Sequence, residues 1–327
     1  MLRFGSKKNY KTLAIIGNGF DIAHGYKTDY RSFVEKTSNQ SLDAFRSYCE
    51  DEDSITTWYL FEENISKLTS TLFMRSFSDD CDYDAARADI AHLKEIFNDI
   101  HELLLQFLRT ETASKQIKTI PSIKKYLKRK TKVITFNYTD IAEEYTNDIY
   151  YVHGSIKEND ILLGYDYRDE PCLAQYEDMC WSKTICRESL AFRRYLRNEL
   201  HLEVDSPEYA RLISSLETYH HWDNSARGID EDANTYIPDF DILSNFIHQY
   251  RENNEILNIS YHRISTIVVL GHGIEADQVF LNRILRKCKN LKKVVIFRYD
   301  GESDSSFNNK ANFFRPYCKR IRSVMYH

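Results

Sequence analysis

The sequence predicts an α/β protein built on a doubly wound, mainly parallel sheet. Three observations carry that expectation. Short runs rich in Ile and Val are spaced along the chain, most end in glycine or a polar turn, and long stretches of helical apolar spacing lie between them. The first run, Thr12–Ile16, leads into Gly17-Asn18-Gly19. The next hundred or so residues read as helix, and "ADIAHLKEIFNDIHELLLQFLR" places Ile90, Leu93, Phe97, Ile100, Leu104 and Phe107 on one face. Strands follow at Val133–Phe136 and Tyr150–Val152, the latter expected to pair in a hairpin with Ile161–Leu163 across "GSIKEND". A second helical block runs from about Tyr176 to His262. Within it Ser206 reads as an N-cap and Pro207 as the first helical residue. Strands Thr266–Leu270 and Lys293–Arg298 come next, and Ile321–Tyr326 reads as an edge strand. The expected architecture is one Rossmann-like domain over residues 1–327, with helical insertions at about 31–130 and 172–262.

Composition narrows the function classes. The chain is 42% hydrophobic and 28% charged, as a globular protein should be, and its 10 glycines and 5 prolines leave little room for long linkers. A formal charge of −5 argues against a nucleic-acid binder, which would carry a basic face. The seven cysteines (Cys49, Cys81, Cys172, Cys180, Cys186, Cys288 and Cys318) form no Cys-x-x-Cys pair. Reduced thiols in a cytoplasmic protein are expected, without a disulfide framework or zinc site. No run reaches signal-peptide or membrane-spanning length, so no membrane association is expected.

In a doubly wound sheet, ligands bind beyond the carboxyl ends of the strands. Four loops should meet there. In the first, Gly17 and Gly19 permit either an ordinary tight turn or a phosphate cradle at a helix N-terminus, with Asn18 and Phe20 beside them. Ile22 occupies the third position of the dinucleotide fingerprint, which is therefore incomplete. Asp21 reads as a first-turn residue favoured by the helix dipole, or as a ligand contact to ribose. His24 reads as a packing residue. In the second loop, Asp140 and Glu143 have capping-box spacing, leaving Asn137, Tyr138 and Thr139 to face the crevice. Asn137 donates and accepts at any pH and suits a ribose hydroxyl or a water; its bland alternative is a turn asparagine. The third loop carries His153 and Gly154, and histidine is the side chain best suited to moving protons near neutrality. Gly164 and Asp166 read as turn residues closing the hairpin. The fourth loop repeats the glycine pair, Gly271 and Gly273, around His272, with Asp277 in the helix that follows. His272 and Glu275 lack further ligands at metal-site spacing, so no metal is expected. The adjacent His220 and His221 lie in a helical stretch and read as surface or packing residues.

Four segments, "IIGNGFDIAHGYKTDY", "ITFNYTD", "VHGSI" and "LGHGIEADQVFLNRIL", together resemble the phage abortive-infection AbiH family. Gly273 departs from it, standing where a serine is usual. The resemblance implies a role in antiphage defence; a cell-killing activity would have to be held inactive, so the helical insertions are expected to mediate self-assembly or contact a partner protein. A more distant resemblance to sirtuin-like NAD-binding domains implies NAD as substrate or ligand. It gives Gly17, Asn18 and Gly19 the phosphate role, Asn137 the ribose or water role, and His153 the role of base. Thr139 departs from that pattern, which has aspartate there, so Asp21 would have to supply the carboxylate. The expected activity is hydrolysis of NAD to nicotinamide and ADP-ribose; the alternative is a module that binds a nucleotide without turnover.

Overall fold

The computed structural model describes residues 8–48, 64, 83–113, 116–128, 130–163, 183–226, 242–244, 246–247, 257 and 259–326. In chain order the main elements are β1 (Thr12–Ile16), α1 (Asn18–Ala23), α2 (Tyr30–Lys36), α3 (Gln40–Tyr48), α4 (Tyr83–Ala113), α5 (Pro121–Lys124) and β2 (Thr131–Thr135). They continue with β3 (Ile149–Tyr151), β4 (Gly154–Ser155), β5 (Asp160–Ile161), α6 (Lys183–Asn198), α7 (Pro207–Ala226), β6 (Thr266–Leu270), α8 (Gln278–Lys287), β7 (Lys293–Arg298), α9 (Asp304–Phe314) and β8 (Ile321–Met325).

Six strands form one sheet in the order β3-β2-β1-β6-β7-β8, and every pairing in it is parallel. The order runs outward from β1 to β3 on one side and from β6 to β8 on the other. The switch point of a doubly wound sheet therefore falls between β1 and β6. Both faces are covered, which explains why the strands read as unbroken apolar runs rather than alternating ones. On one face Ala14, Ile16, Val133, Val268, Leu270, Val295 and Phe297 pack with Phe20, Tyr26 and Ile123. The residues between them, Leu13, Ile15, Ile134, Ile267, Val269, Val294 and Ile296, are equally buried. Full burial of such a side chain contributes about 1.5–3 kcal/mol each, before conformational entropy is set against it.

The chain divides into two compact units. The first comprises Met1–Leu42, Asp99–Ile161 and Leu257–His327; the second comprises Asp43–Asn98 and Leu162–Ile256. The sheet belongs to the first. In the second, α6 and α7 pack through Phe192, Leu196, Tyr209, Leu212 and Leu216. Ser206 caps α7 as its sequence predicts, its hydroxyl accepting the Tyr209 amide at 3.2 Å.

Three local expectations change. β2 begins at Thr131, leaving Phe136 beyond the strand end. Tyr150–Val152 does not form the hairpin; the chain first turns at His153, and the short antiparallel pair is β4 with β5. α4 braces that hairpin: a ring nitrogen of His101 lies 3.0 Å from the Ile161 carbonyl, and Arg109 donates to the Ile156 carbonyl at 3.3 Å and to Asn159. The predicted capping box does not form. Asp140 precedes a 3₁₀ turn, Ile141–Glu144, without a side-chain cap, because Glu143 instead accepts the Tyr151 hydroxyl at 2.9 Å and pairs with Lys157. The expected stripe on α4 holds, with Leu93, Phe97, Ile100, Leu104 and Phe107 all buried. Gly164, Asp166 and the side chains of His220 and His221 lie outside the described residues. Of the cysteines described, Cys288 and Cys318 are buried free thiols.

Candidate functional site

β1, β2 and β6 run side by side and in register, so the loops leaving their carboxyl ends are forced together. The β1 and β6 loops meet backbone to backbone. A Cβ on Gly17 would lie 2.6 Å from the His272 Cα, and one on Gly271, whose φ is +65°, would lie 2.2 Å from the Phe20 nitrogen. No side chain fits at either position, which accounts for the glycine pairs. This approach also engages the amides of Gly17 and Gly19, two of the three residues to which the resemblance gives the phosphate role. Gly17 N–H donates to the Leu270 carbonyl at 3.0 Å, Gly19 N–H to the Gly271 carbonyl at 2.9 Å, and Phe20 N–H to the Gly17 carbonyl at 2.9 Å. Moreover α1 is only six residues long, so its terminal dipole is small. Ile22, at the third fingerprint position, is 51% exposed.

Two polar networks lie beneath this contact. The first centres on Asp21, which is 1% exposed. Asn137 Nδ2 donates to its Oδ1 at 2.6 Å and to the Gly17 carbonyl at 3.1 Å. Thr139 donates to Oδ2 at 2.6 Å, and the Thr28 hydroxyl lies 3.2 Å from the same oxygen and 2.7 Å from Asn18 Oδ1. Burial pushes the Asp21 carboxyl up to about 7, against the hydrogen bonds from Thr139, Asn137 and Thr28, which pull it down. Thr139, expected to face the crevice, is thus bonded directly to a buried carboxylate.

The second network centres on Asp277, at the end of the 3₁₀ turn Glu275–Asp277. His153 Nε2 lies 3.3 Å from Asp277 Oδ1, and His272 Nε2 lies 3.3 Å from Oδ2. The His272 tautomer is fixed: its Nδ1 accepts the Ile274 amide at 2.8 Å, so the ring proton sits on Nε2, facing the carboxylate. Ile274 reaches that position with φ +73°, a conformation β-branched residues avoid, at a cost of ~1–3 kcal/mol. The Phe136 ring, freed by the early end of β2, packs on both imidazoles, with ring centroids 4.3 Å from His272 and 5.4 Å from His153. The two networks meet at Gly17, whose carbonyl serves Asn137 and whose α-carbon lies against His272.

The sheet edge therefore gathers residues from all four predicted loops. Asn137, Thr139, His153, Gly154, His272 and Asp277 are buried; Asn18, Gly19, Tyr138 and Gly271 are half-exposed; Gly273 is exposed. His24 packs away from the networks. Its Nδ1–H donates to the Phe20 carbonyl at 2.7 Å and its Nε2 accepts the Tyr145 hydroxyl at 2.6 Å, while burial lowers its basicity. Sequence reasoning missed Thr28 and Tyr30, whose hydroxyl lies 3.5 Å from that of Tyr138. Both belong to the polar tail of the opening motif, "YKTDY", which was the available signal.

Among the described residues no group of His, Cys, Asp and Glu is arranged to hold a metal ion, and no helix is long and apolar enough to cross a membrane. No curated protein and no solved structure matches the chain. A family model described as "Bacteriophage abortive infection AbiH" matches residues 13–299, a span that includes every residue of both networks. The chain therefore belongs to the AbiH family of bacteriophage abortive-infection proteins, and its role is in antiphage defence.

Proposed function

We propose that the protein is an abortive-infection effector that hydrolyses NAD to nicotinamide and ADP-ribose, with His153 as base. The observation that supports this most is that a histidine paired with a carboxylate, His153 with Asp277, and the buried Asn137–Asp21 pair both stand on loops at the carboxyl edge of one parallel sheet. Cleavage breaks the bond between the nicotinamide nitrogen and ribose C1′. The bonding pair leaves with the ring nitrogen, which becomes neutral and needs no protonation. Water adds its oxygen to C1′ and its proton passes to His153. Asn137 orients a ribose hydroxyl or that water, and Asp21 offsets positive charge developing on the sugar.

The fit is conditional on opening. The amides of Gly17 and Gly19 are already hydrogen-bonded, and Asn137 and Asp21 are 6% and 1% exposed. The diphosphate therefore takes its contacts from the half-exposed rim, Asn18 and Tyr138, and the β6–α8 loop must move before the sugar reaches His153. A closed resting site suits an effector that stays silent until infection. The test follows NAD in infected cells carrying the wild-type chain or His153→Ala. NAD is expected to fall, and nicotinamide to rise, only with the wild type. Full protection with constant NAD would sink the proposal.

The second reading is a nucleotide-binding module without turnover. Mutual hydrogen bonding within the Asp21 network favours it, since such groups hold a shape without acting on a substrate. Saturable NAD binding by calorimetry, with no nicotinamide released during infection, is its signature.

A further inference from the structure

We propose that the amino-terminal edge of the sheet binds the phosphate backbone of a nucleic acid, without reading its sequence, through a row of Lys11, Lys130, Lys292, Lys293, Arg320 and Arg322. The strand register lines these residues up. Lys11 and Lys130 directly precede the paired Thr12 and Thr131, and Lys293 and Arg320 directly precede the paired Val294 and Ile321. The backbone is continuous across the row: Lys11 N–H donates to the Lys130 carbonyl at 3.1 Å, Lys292 N–H to Ser265 at 2.9 Å, and Val294 N–H to Arg320 at 2.9 Å. Five neighbouring strands at a spacing of about 4.8 Å make the row roughly 19 Å long. Lys293 is half-buried and the other five are exposed. Among the described residues none of the six makes an ion pair. The segments that enter these strands, 8–11, 125–130, 259–265, 288–292 and 315–320, contain no Asp or Glu. Asp148, which precedes β3, is already paired with Lys132 at 2.9 Å.

The cations stand close enough to oppose one another. Burial, and then Arg322, Arg320 and Lys125, hold Lys293 below the ordinary lysine value. Like charges facing each other on adjacent strands are unfavourable, and a bound polyanion removes that repulsion. Basic residues at the ends of α5 and α8 answer the helix dipoles, but none of these six lies in a helix. Acids gather instead beyond the carboxyl ends of the strands, among them Asp21, Asp140, Glu143, Asp277 and Glu302. The formal charge of −5 averages over this segregation, so it does not argue against nucleic acid at this one edge. None of the exposed large apolar side chains described lies in the entering segments or on β8. A protein interface or a lipid surface draws on such anchors, whereas phosphates need only a line of cations. The row lies a strand length, about 17 Å, from the Asp21 and Asp277 networks and is independent of the hydrolase reading.

The experiment follows the fluorescence anisotropy of labelled oligonucleotides of about 20 units, one a single-stranded RNA and one a DNA duplex, titrated with the full chain. Saturable binding of either is expected. With roughly four to six phosphates neutralised, duplex affinity should fall roughly 10²–10³-fold between about 50 and 200 mM salt. Lys11→Gln/Lys292→Gln/Arg320→Gln should lower the slope of log affinity against log salt by about three, with Tm equal or higher. The same charge loss away from the row, Lys27→Gln/Arg31→Gln/Lys157→Gln, should lower it by less than about one. Photocrosslinking of the wild-type chain to thiouridine-containing RNA should mark peptides that hold Lys11, Lys130, Lys292 or Arg320, a result that needs no variant to fold. Absence of binding at low salt, crosslinks confined to other peptides, or equal slopes for the two triple variants overturns the proposal. So does tighter binding to phosphatidylserine vesicles or to polyglutamate than to either oligonucleotide. NAD consumption in infected cells is a separate readout, so this proposal and the hydrolase reading fail independently.

Discussion

Replacing Asp21 with asparagine should stabilise the protein, and more so as pH rises. The carboxyl is 1% exposed, and burial raises it from 3.8 to about 7. The folded chain therefore holds this proton over a range in which the unfolded chain has released it. For an acid raised in this way, its contribution is fully present below 3.8 and is lost as pH rises through about 7. The slope is about 1.4 kcal/mol per pH unit, and a shift of about three units gives a ceiling of about 4 kcal/mol at alkaline pH. Asparagine has the shape of the neutral acid and keeps its partners. Its oxygen accepts from Asn137 Nδ2, and its nitrogen donates to the Thr139 hydroxyl, which reverses its role. Urea unfolding of both proteins near pH 5.5 and near pH 7.5 tests this. Asp21→Asn should be more stable by about 1–4 kcal/mol at the higher pH, with the gap shrinking by about 2 kcal/mol at the lower. A variant less stable at the higher pH, or a gap equal at both, would refute the claim that a charged Asp21 opposes folding.

Asn137→Asp sets a second carboxyl 2.6 Å from Asp21 Oδ1 and should destabilise by roughly 3–5 kcal/mol near pH 8, with recovery toward pH 5, read by the same unfolding series. Gly17→Ala drives a methyl group into the His272 backbone and should cost roughly 1–3 kcal/mol, seen as a lower Tm. Ser206→Ala removes the acceptor of the Tyr209 amide and should cost about 1 kcal/mol in urea unfolding, with the Asp21 pH response unchanged.

The strands were legible because burial on both faces writes itself as continuous Ile/Val runs, and Thr12–Ile16 and Thr266–Leu270 match residue for residue. The edge of β2 was not: Thr131 and Lys132 look polar, yet they extend the parallel ladder with Thr12 and Leu13. The convergence of Asn137, His153 and Asp277 followed from the fold class. Their partners did not, since pairing Asp277 with His153 depends on the turn at His153 and on the backbone of Ile274, and no local pattern encodes either. The glycine pairs had two readings in sequence, contact with a ligand or contact with another part of the chain. The Gly17 approach to His272 shows protein backbone there.

The central sheet has one consequence for synthesis. Its two innermost strands, β1 and β6, are separated by some 250 residues of chain, and β6 brings His272 and Asp277 with it. A growing polypeptide can pair β1 with β2 and β3 long before β6 leaves the ribosome. Until then Asp21 and Asn137 have a scaffold, while His153 lacks its neighbour Asp277. Any product cut short before residue 266 lacks β6 and therefore can complete neither the sheet nor the cluster of His153, Asp277 and His272.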